Sequence, residues 1–508
     1  MPVTDTDVII VGAAPTGLTL ARELRLAGVR TLILERLPEP RSVARAGGLG
    51  GRMLDMLRYR GLLGRFEAAS GKARPAPRFP FGGLHVDLTE LVDPPMQALM
   101  LPQPQMETLL EELARELGAE VRRAHELIGL SQDQDRVTAD VRGPDGTFRV
   151  SAHYLVGCDG LGSRVRALAD IAFPGVTYPE VNRLGSFTMP EALTLLDDGD
   201  YLVPGFSRLR AGYTRTADGV FAISSYTPHD IGVYTSEEED RTYDDDQPMT
   251  VAEFSASVRR VLGWDLPLGE PSRLTRFTFH ARHVERYRDR RILVAGDAAH
   301  LFPSGGVAVS AGMLDAVNLG WKLAAAINGW APPGLLDTYH DERHLAGART
   351  LLHTQAQVAL RRGLDAAADA LREIVSELLL DEAAARRIGA LIAGADIRYP
   401  MPAANPHPLA GSFAVDLTAD LLQTARPVLL DLADRDDLRD VARAWGDRVD
   451  VRAAYFDDRT ADAMLIRPDA YIAWAAAVGE PAGKAAVGLR EALTGWFGPP
   501  QVDSPFDV

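Results

Sequence analysis

The chain has a single cysteine, Cys158, in 508 residues, so an intramolecular disulfide is impossible and a multi-thiolate metal site is excluded. Any redox chemistry must therefore be borrowed from a cofactor. Lysine is nearly as scarce, occurring only at 72, 322 and 484, and arginine carries the positive charge, a bias that fits a GC-rich coding sequence and has no mechanistic weight. Positive charge is not in surplus either. A net charge of −16 and a pI near 5.2 argue against a phosphate backbone or an anionic membrane as partner, because both attract clustered Lys and Arg. No stretch approaches 18 uninterrupted apolar residues, and the start lacks the basic segment and apolar core of a signal peptide, so a cytoplasmic location is expected. Internal repeats and low-complexity tracts are absent from the sequence. What is present is ordinary soluble composition in a chain long enough for two to four domains.

Three separated motifs stand out. The apolar run at 7–11 leads into Gly12-Ala13-Ala14-Pro15-Thr16-Gly17, the segment 18–27 reads as a helix, and 31–35 reads as a strand ending in Glu35. Strand, Gly-rich turn, helix and acid-terminated strand form the βαβ layout that binds a dinucleotide. Gly12 permits the tight bend, Gly17 lets helix and strand approach, and the helix N-terminus faces a pyrophosphate. The usual second glycine is Ala14, whose methyl stands where backbone should approach that pyrophosphate. Glu35 is placed to accept from adenosine ribose hydroxyls. The second motif is Asp159-Gly160 after the strand-like Leu155-Val156-Gly157. The third is Gly296-Asp297 after Ile292-Leu293-Val294-Ala295, followed by a helix from Asp315. A carboxylate in that last turn can accept from the hydroxyls of a ribityl chain. Together the three point past NAD alone to a flavin dinucleotide, FAD.

Between the second and third motifs the texture changes to short β-prone stretches such as 219–226, which reads as an inserted antiparallel sheet. A helix is expected around 107–117, and a hairpin across Pro144-Asp145-Gly146. The Ala- and Leu-rich segment 356–393 reads as one or two long amphipathic helices, the four prolines at 400–408 as a linker, and 428–432, 449–452, 463–467 and 471–474 as strands of a small α/β unit. The expected architecture is α/β. A discontinuous Rossmann-like FAD-binding domain occupies 1–173 and 281–399, a substrate-binding β-sheet domain 174–280 is inserted in it, and an α/β domain occupies 400–508.

At this point the sequence resembles the FAD-dependent aromatic-ring hydroxylases of the para-hydroxybenzoate hydroxylase type, in particular the polyketide-tailoring branch with a thioredoxin-like C-terminal domain. The resemblance runs nearly end to end. It includes Arg45-Ala46-Gly47-Gly48 leading to Arg52 and Asp55, Leu101-Pro102-Gln103 with Glu107, the segment from Asp315 through Asn318 to Lys322, Asp396-Ile397-Arg398-Tyr399-Pro400, and Arg467-Pro468-Asp469-Ala470-Tyr471. It implies that Gly12, Ala14 and Gly17 line the pyrophosphate, that Glu35 and Arg36 hold the adenosine, and that Leu127 meets the adenine through its backbone. Arg45, Gln103 and Asp297 would hold the phosphate and ribityl portions, and Asp159 would serve both the flavin and NAD(P)H. Arg52 reads equally well as a structural ion-pair residue. No metal is implied, and no catalytic side chain is singled out. The C-terminal domain lacks Cys-x-x-Cys, which leaves packing as its work.

One stretch departs from the family. Where the relatives continue Pro-Pro-x-Gly-Gly-Gln-Gly-Leu-Asn, this chain has Pro303-Ser304-Gly305-Gly306-Val307-Ala308-Val309-Ser310, one residue shorter before the glycine pair. Gly306 and Val307 would face the pyrimidine edge of the flavin, where a helix N-terminus stabilises negative charge. Ala308 and the β-branched Val307 and Val309 are expected to restrict the backbone that presents those donors. Three functions remain open. The resemblance implies monooxygenation, in which NAD(P)H reduces the flavin and oxygen added at C4a is passed to a hydrophobic aromatic or polyketide substrate. The altered loop favours a redox-neutral cyclase of the decalin-forming kind. A scaffold that has lost FAD is the third. Either a monomer or a homodimer is compatible.

Overall fold

The computed structural model describes residues 4–500 apart from 43–45, 71–73, 76–78, 90, 197–198, 204, 206, 226–228, 240–242, 244–246, 304–305, 364, 403–405, 416 and 455–457. Strand Val8–Val11 is buried at every position and lies at the centre of a six-stranded sheet. It pairs in parallel with Thr31–Glu35 on one side and with Tyr154–Gly157 on the other. Glu120–Arg123 extends the first side, and Ile292–Val294 extends the second in parallel register with Leu155–Gly157. The last pairing joins chain from before and after the β-rich insert, so the nucleotide sheet is discontinuous in sequence. Continuous apolar runs at 8–11 and 292–294 fit strands covered on both faces. Helices Pro15–Leu26 and Ala308–Ile327 pack on this sheet and share its core.

Expected elements recur with shifted ends. The helix read at 107–117 begins at Gln103, because Pro104 fits a first turn that needs no N–H donor. The hairpin pairs Val137–Gly143 with Gly146–Ala152 around Pro144 and Asp145. The helix expected from Asp315 starts at Ala308. The segment 356–393 belongs to three helices rather than one or two: Asp337–Arg362, Ala366–Leu378 and Glu382–Ala393. The breaks have a local cause. Asp365 accepts from Ala368 N at 2.8 Å and Asp381 from Ala384 N at 3.1 Å, each capping a new helix start.

The insert forms a five-stranded antiparallel sheet in the order Gly212–Thr216, Gly219–Ser224, Asp230–Glu238, Glu180–Thr188, Pro271–Phe277. Helix Val251–Leu262, which sequence reading did not anticipate, seals one face through Phe254, Val258 and Val261 against Phe187, Phe221 and Val233. The C-terminal unit is a mixed four-stranded sheet, Asp450–Ala453, Val428–Asp431, Ala463–Ile466, Ile472–Ala476, with helix Ala482–Phe497 packed on it. Among the described residues, no helix is long and apolar enough to cross a membrane.

The C-terminal unit is tied to the nucleotide domain through buried charge. Arg60, 3% exposed, holds Glu23 of the first helix through Nη2 at 2.6 Å and donates to the carbonyls of Leu422 and Pro468 at 2.6 and 2.8 Å. Removing one partner of such a pair leaves an uncompensated buried charge. Arg60→Met is therefore expected to lower stability by about 3–5 kcal/mol, read as a fall in the urea midpoint at unchanged slope.

Candidate active site

The register Val11↔Leu34 sets the first turn beside the end of the acidic strand, and Gly12 N donates to Leu34 O at 2.8 Å. Gly12 has φ +108, and a Cβ there would stand 2.4 Å from Cys158 O and 3.2 Å from Asp159 Cα. Only glycine fits. A Cβ on Gly17 would come within 2.1 Å of Gly12 O, which enforces close helix–strand packing. Ala14 has ordinary extended angles, so its methyl does not strain the turn. Ala14 and Thr16 are half-buried while Gly12, Ala13, Pro15 and Gly17 are buried. No side chain caps this helix and its first turn carries no acid, which leaves its N–H groups to an anion. Glu35 folds back on the turn, accepting from Ala13 N and Leu37 N, both at 2.9 Å. Its oxygens retain acceptor capacity. Arg36 beside it is exposed. His125 N donates to Glu35 O at 2.8 Å, which brings strand Glu126–Gln132, with buried Leu127, to the same edge.

The second motif anchors a helix. The Asp159 carboxylate accepts from Ser163 Oγ at 2.5 Å, Arg164 N at 2.6 Å and Val165 N at 3.1 Å, fastening the short helix Arg164–Leu168. Burial is the largest influence on it and raises its pKa against these hydrogen bonds. Gly160, at φ +79, has open space where a Cβ would point. Cys158 is an inert neighbour, since burial pushes its thiol well up.

Asp297 sits in the turn Gly296–Ala298 and is exposed while Gly296, Ala298 and Ala299 are buried. The turn is held from beneath by Asp315, whose Oδ2 accepts from Gly296 N at 2.9 Å and contacts His300 Nε2 at 2.8 Å. Arg343 Nε donates to the other oxygen at 2.6 Å. Burial pushes the Asp315 carboxyl up, but the Arg343 charge and then His300 outweigh it and hold it at about 2. A Cβ on Gly296 or Gly312 would meet Thr16 Oγ1 at 2.6 or 2.5 Å, so Thr16 marks where the first helix, the Gly-Asp turn and helix Ala308–Ile327 converge. Gly12, Asp159 and Asp297 thus share one rim.

Gln103 steadies the neighbouring segment, accepting from Ala46 N at 3.2 Å and donating to Glu107 at 2.7 Å. Arg45 and Gly305 lie outside the described residues. Arg52 pairs with Asp55 at 3.0 Å and lies over the Phe413 ring, which gives it a structural place. Gly306 is exposed at φ +89, and buried Val307 takes helical angles at the cap of the long helix. Among the described residues that helix has no side-chain cap and no acid in its first turn, despite the β-branched residues at its start. Val307 and Phe302 pack with Phe81, Leu88, Met96 and Leu360 in an apolar cluster. Two uncapped helix starts and a row of obligatory glycines on one rim fit an extended FAD with its pyrophosphate at the first helix.

The second face of the insert sheet meets the end of helix Asp337–Arg362. Direct pairings place Tyr213, Ala222, Tyr234, Leu184 and Thr275 in one row, all half-buried. On the same face, Glu180 pairs with Arg361, and Arg215 donates to the carbonyls of Leu360 and Arg361. Leu360 belongs to the cluster that holds Phe302 and Val307. The sheet face is therefore bonded to the end of the 337–362 helix, and Leu360 links that end to Phe302 and Val307. On the same sheet face the Tyr234 hydroxyl donates to Asn182 Oδ1, and burial raises this phenol above its ordinary range, so it stays neutral.

Residues 5–354 match the family model described as FAD binding domain, and residues 403–500 match that of the aromatic-ring hydroxylase C-terminal domain. The chain belongs to the FAD-binding aromatic-ring hydroxylase family of flavin-dependent monooxygenases. It is 41% identical over 515 residues to a 12-dehydrotetracycline 5-monooxygenase/anhydrotetracycline 6-monooxygenase of Streptomyces rimosus, covering 97% of this chain and 99% of that protein. The solved structure of the anhydrotetracycline hydroxylase OxyS from Streptomyces rimosus superposes with a TM-score of 0.84 at 40% identity, covering 98% of this chain and all of that one. A dialkyldecalin synthase of Streptomyces rugosporus is 38% identical over 498 residues, covering 97% and 99%.

Two outcomes follow from this geometry. Gly17→Ala drives a methyl into Gly12 O and is expected to yield a protein that no longer retains FAD, seen as loss of the visible flavin bands after gel filtration. Asp315 has a folded pKa below its ordinary 3.8, so its contribution is present above that value and fades as pH falls towards about 2. Asp315→Asn should lower the urea midpoint at neutral pH and flatten the decline of stability across that window.

Proposed function

We propose that this monooxygenase hydroxylates a hydrophobic, polycyclic aromatic substrate of the polyketide type, with NAD(P)H as transient reductant. The observation that carries the reading is the row Tyr213, Ala222, Tyr234, Leu184 on the sheet face that Arg215 ties to Leu360, a member of the apolar cluster with Phe302 and Val307. Two tyrosine rings beside Leu184 and Ala222, with the Tyr234 hydroxyl kept neutral, suit a flat ring system bearing a phenol or carbonyl. Family-wide similarity to an anhydrotetracycline monooxygenase supports the same substrate class.

Bound FAD supplies the activation of oxygen and its delivery as a single atom. The chain's residues do the rest. Gly12, Ala14 and Gly17 line the pyrophosphate, Glu35 and Arg36 hold the adenosine, and Leu127 borders the adenine. Gln103 and Asp297, with Arg45, hold the phosphate and ribityl portions. Gly306 and Val307 border the flavin edge and present the start of the long helix to it. Phe302, Val307 and Leu360 exclude water from the chamber. NAD(P)H reaches the same domain without a separate fold, with Asp159 shaping the turn it approaches. The enzyme works in the cytoplasm as a monomer or homodimer.

A redox-neutral cyclisation is the second reading, favoured by the similarity to a dialkyldecalin synthase. One experiment separates the two. NADPH is added to the yellow protein under nitrogen, with and without anhydrotetracycline as probe. Bleaching of the flavin, followed in air by a product that has gained one oxygen atom, is expected. A flavin that stays oxidised under every condition, with conversion of a linear polyene to an isomer of equal mass, would replace hydroxylation by cyclisation. A protein unable to take up FAD overturns both.

A further inference from the structure

Three family-typical segments, 315–322, 396–400 and 467–471, meet at one buried node. Asp315, Asn318 and Lys322 follow one another at helical spacing on helix Ala308–Ile327 and face Glu342 and Arg343 of the next helix. Asn318 Nδ2 donates to Glu342 and to Asp469, both at 2.7 Å, and Lys322 Nζ donates to Glu342 at 2.7 Å. From the C-terminal domain, the tip of the hairpin between Ala463–Ile466 and Ile472–Ala476 inserts Arg467 and Asp469. Arg467, fully buried, donates to both oxygens of Glu342 at 2.5 and 2.7 Å and to Asp469. It also lies within 6 Å of the rings of Trp321, Tyr399, Tyr471 and Trp496, an enclosure that desolvates it completely.

The node continues to the flavin turn. Glu342 and Arg343 are neighbours in sequence, and Arg343 reaches the other way: Nη1 donates to Tyr399 Oη at 2.8 Å and Nε to Asp315. Asp315 in turn accepts from Gly296 N. Tyr399 is stacked on Tyr471 of the hairpin tip at 3.9 Å. An unbroken run of hydrogen bonds and ring contact therefore joins the C-terminal hairpin to the peptide beside Asp297.

We infer that the C-terminal domain sets the flavin site from a distance, with Arg467 and Tyr399 as positioning residues for the Gly296–Asp297 turn. The domain lacks any thiol pair, and this gives it a task beyond packing. A charge held between two helices at fixed geometry keeps the Asp315 carboxylate in one place, and the turn follows Asp315. The inference rests on the reading that this turn contacts FAD.

The test uses full-length holoenzyme with FAD itself as probe. Tyr399→Phe removes only the hydroxyl that orients Arg343. Arg467→Gln removes the charge, and Arg467→Lys restores it. Leu489→Ala, in the C-terminal apolar core and outside the hydrogen-bonded run, serves as a control of comparable destabilisation. FAD dissociation constants and the position of the flavin absorption bands are measured alongside thermal midpoints. Tyr399→Phe and Arg467→Gln are expected to weaken FAD binding about 10-fold and to shift the bands, with partial recovery in Arg467→Lys, while Leu489→Ala lowers the midpoint alone. Should Arg467→Gln fail to fold, Tyr399→Phe decides. Node variants that bind FAD with wild-type affinity and unshifted bands overturn the inference. A wild-type protein that takes up no FAD overturns instead the reading on which it rests.

Discussion

The rim shared by Gly12, Asp159 and Asp297 depends on one buried carboxylate. Asp315 is fully buried, and taking an ionised carboxyl out of water costs several kcal/mol unless its oxygens are satisfied. Here one oxygen faces the Gly296 amide and His300, and the other faces the Arg343 guanidinium. The arrangement fixes more than a local turn. Because Asp315 stands on the long helix and Arg343 on the next, their pairing also sets how the two helices lie. Gly312, one turn before Asp315, meets Thr16 of the first helix, so the pyrophosphate end and the Gly-Asp turn are held in a single geometry. Losing either partner would strand a charge, which is why the site is specified so sharply.

Much of this could be read in the residues. The βαβ start was legible because its signals are local: an apolar run, a glycine turn and an acid at the end of the next strand. The discontinuous sheet was legible because Ile292–Val294 repeats the texture of a buried strand after a long polar insert. Other features depended on contacts between distant residues. Asp159 is expected at the flavin and NAD(P)H, and its carboxylate also accepts from Ser163 and the start of the next helix, a contact that the motif alone does not announce. An Asp-Gly turn followed three residues later by Ser163 carried that signal, since Ser and Asp compete for helix-start amides. Helix Val251–Leu262 was missed although Thr250 and Glu253 form a cap at its start, with Thr250 accepting from Glu253 N.

The insert sheet shows how a period of two gives its faces different work. Its one face must be apolar to bury helix Val251–Leu262, and Phe187, Phe221 and Val233 supply that surface. The alternate residues are free of this demand and include Asn182, Ala222, Tyr213 and Tyr234. Sequence pattern gives the alternation, but not which face meets the flavin domain. Glu180 and Arg215 settle that by binding the end of helix Asp337–Arg362.

Relatives with this fold are named for hydroxylation and for decalin formation, so the architecture alone does not choose the chemistry. The choice lies where the chain meets the flavin ring. Val307 and Ala308 depart from the family pattern, and a damaged helix start would have favoured the cyclase. In the structure the departure has another consequence. Val307 turns into the apolar cluster with Phe302 and Leu360, while the helix begins at Ala308 with no side-chain cap among the described residues. A helix start of this kind favours negative charge on a group set against it, and the methyl groups of Val307 add apolar packing beside it. Both effects act in the direction that monooxygenation requires.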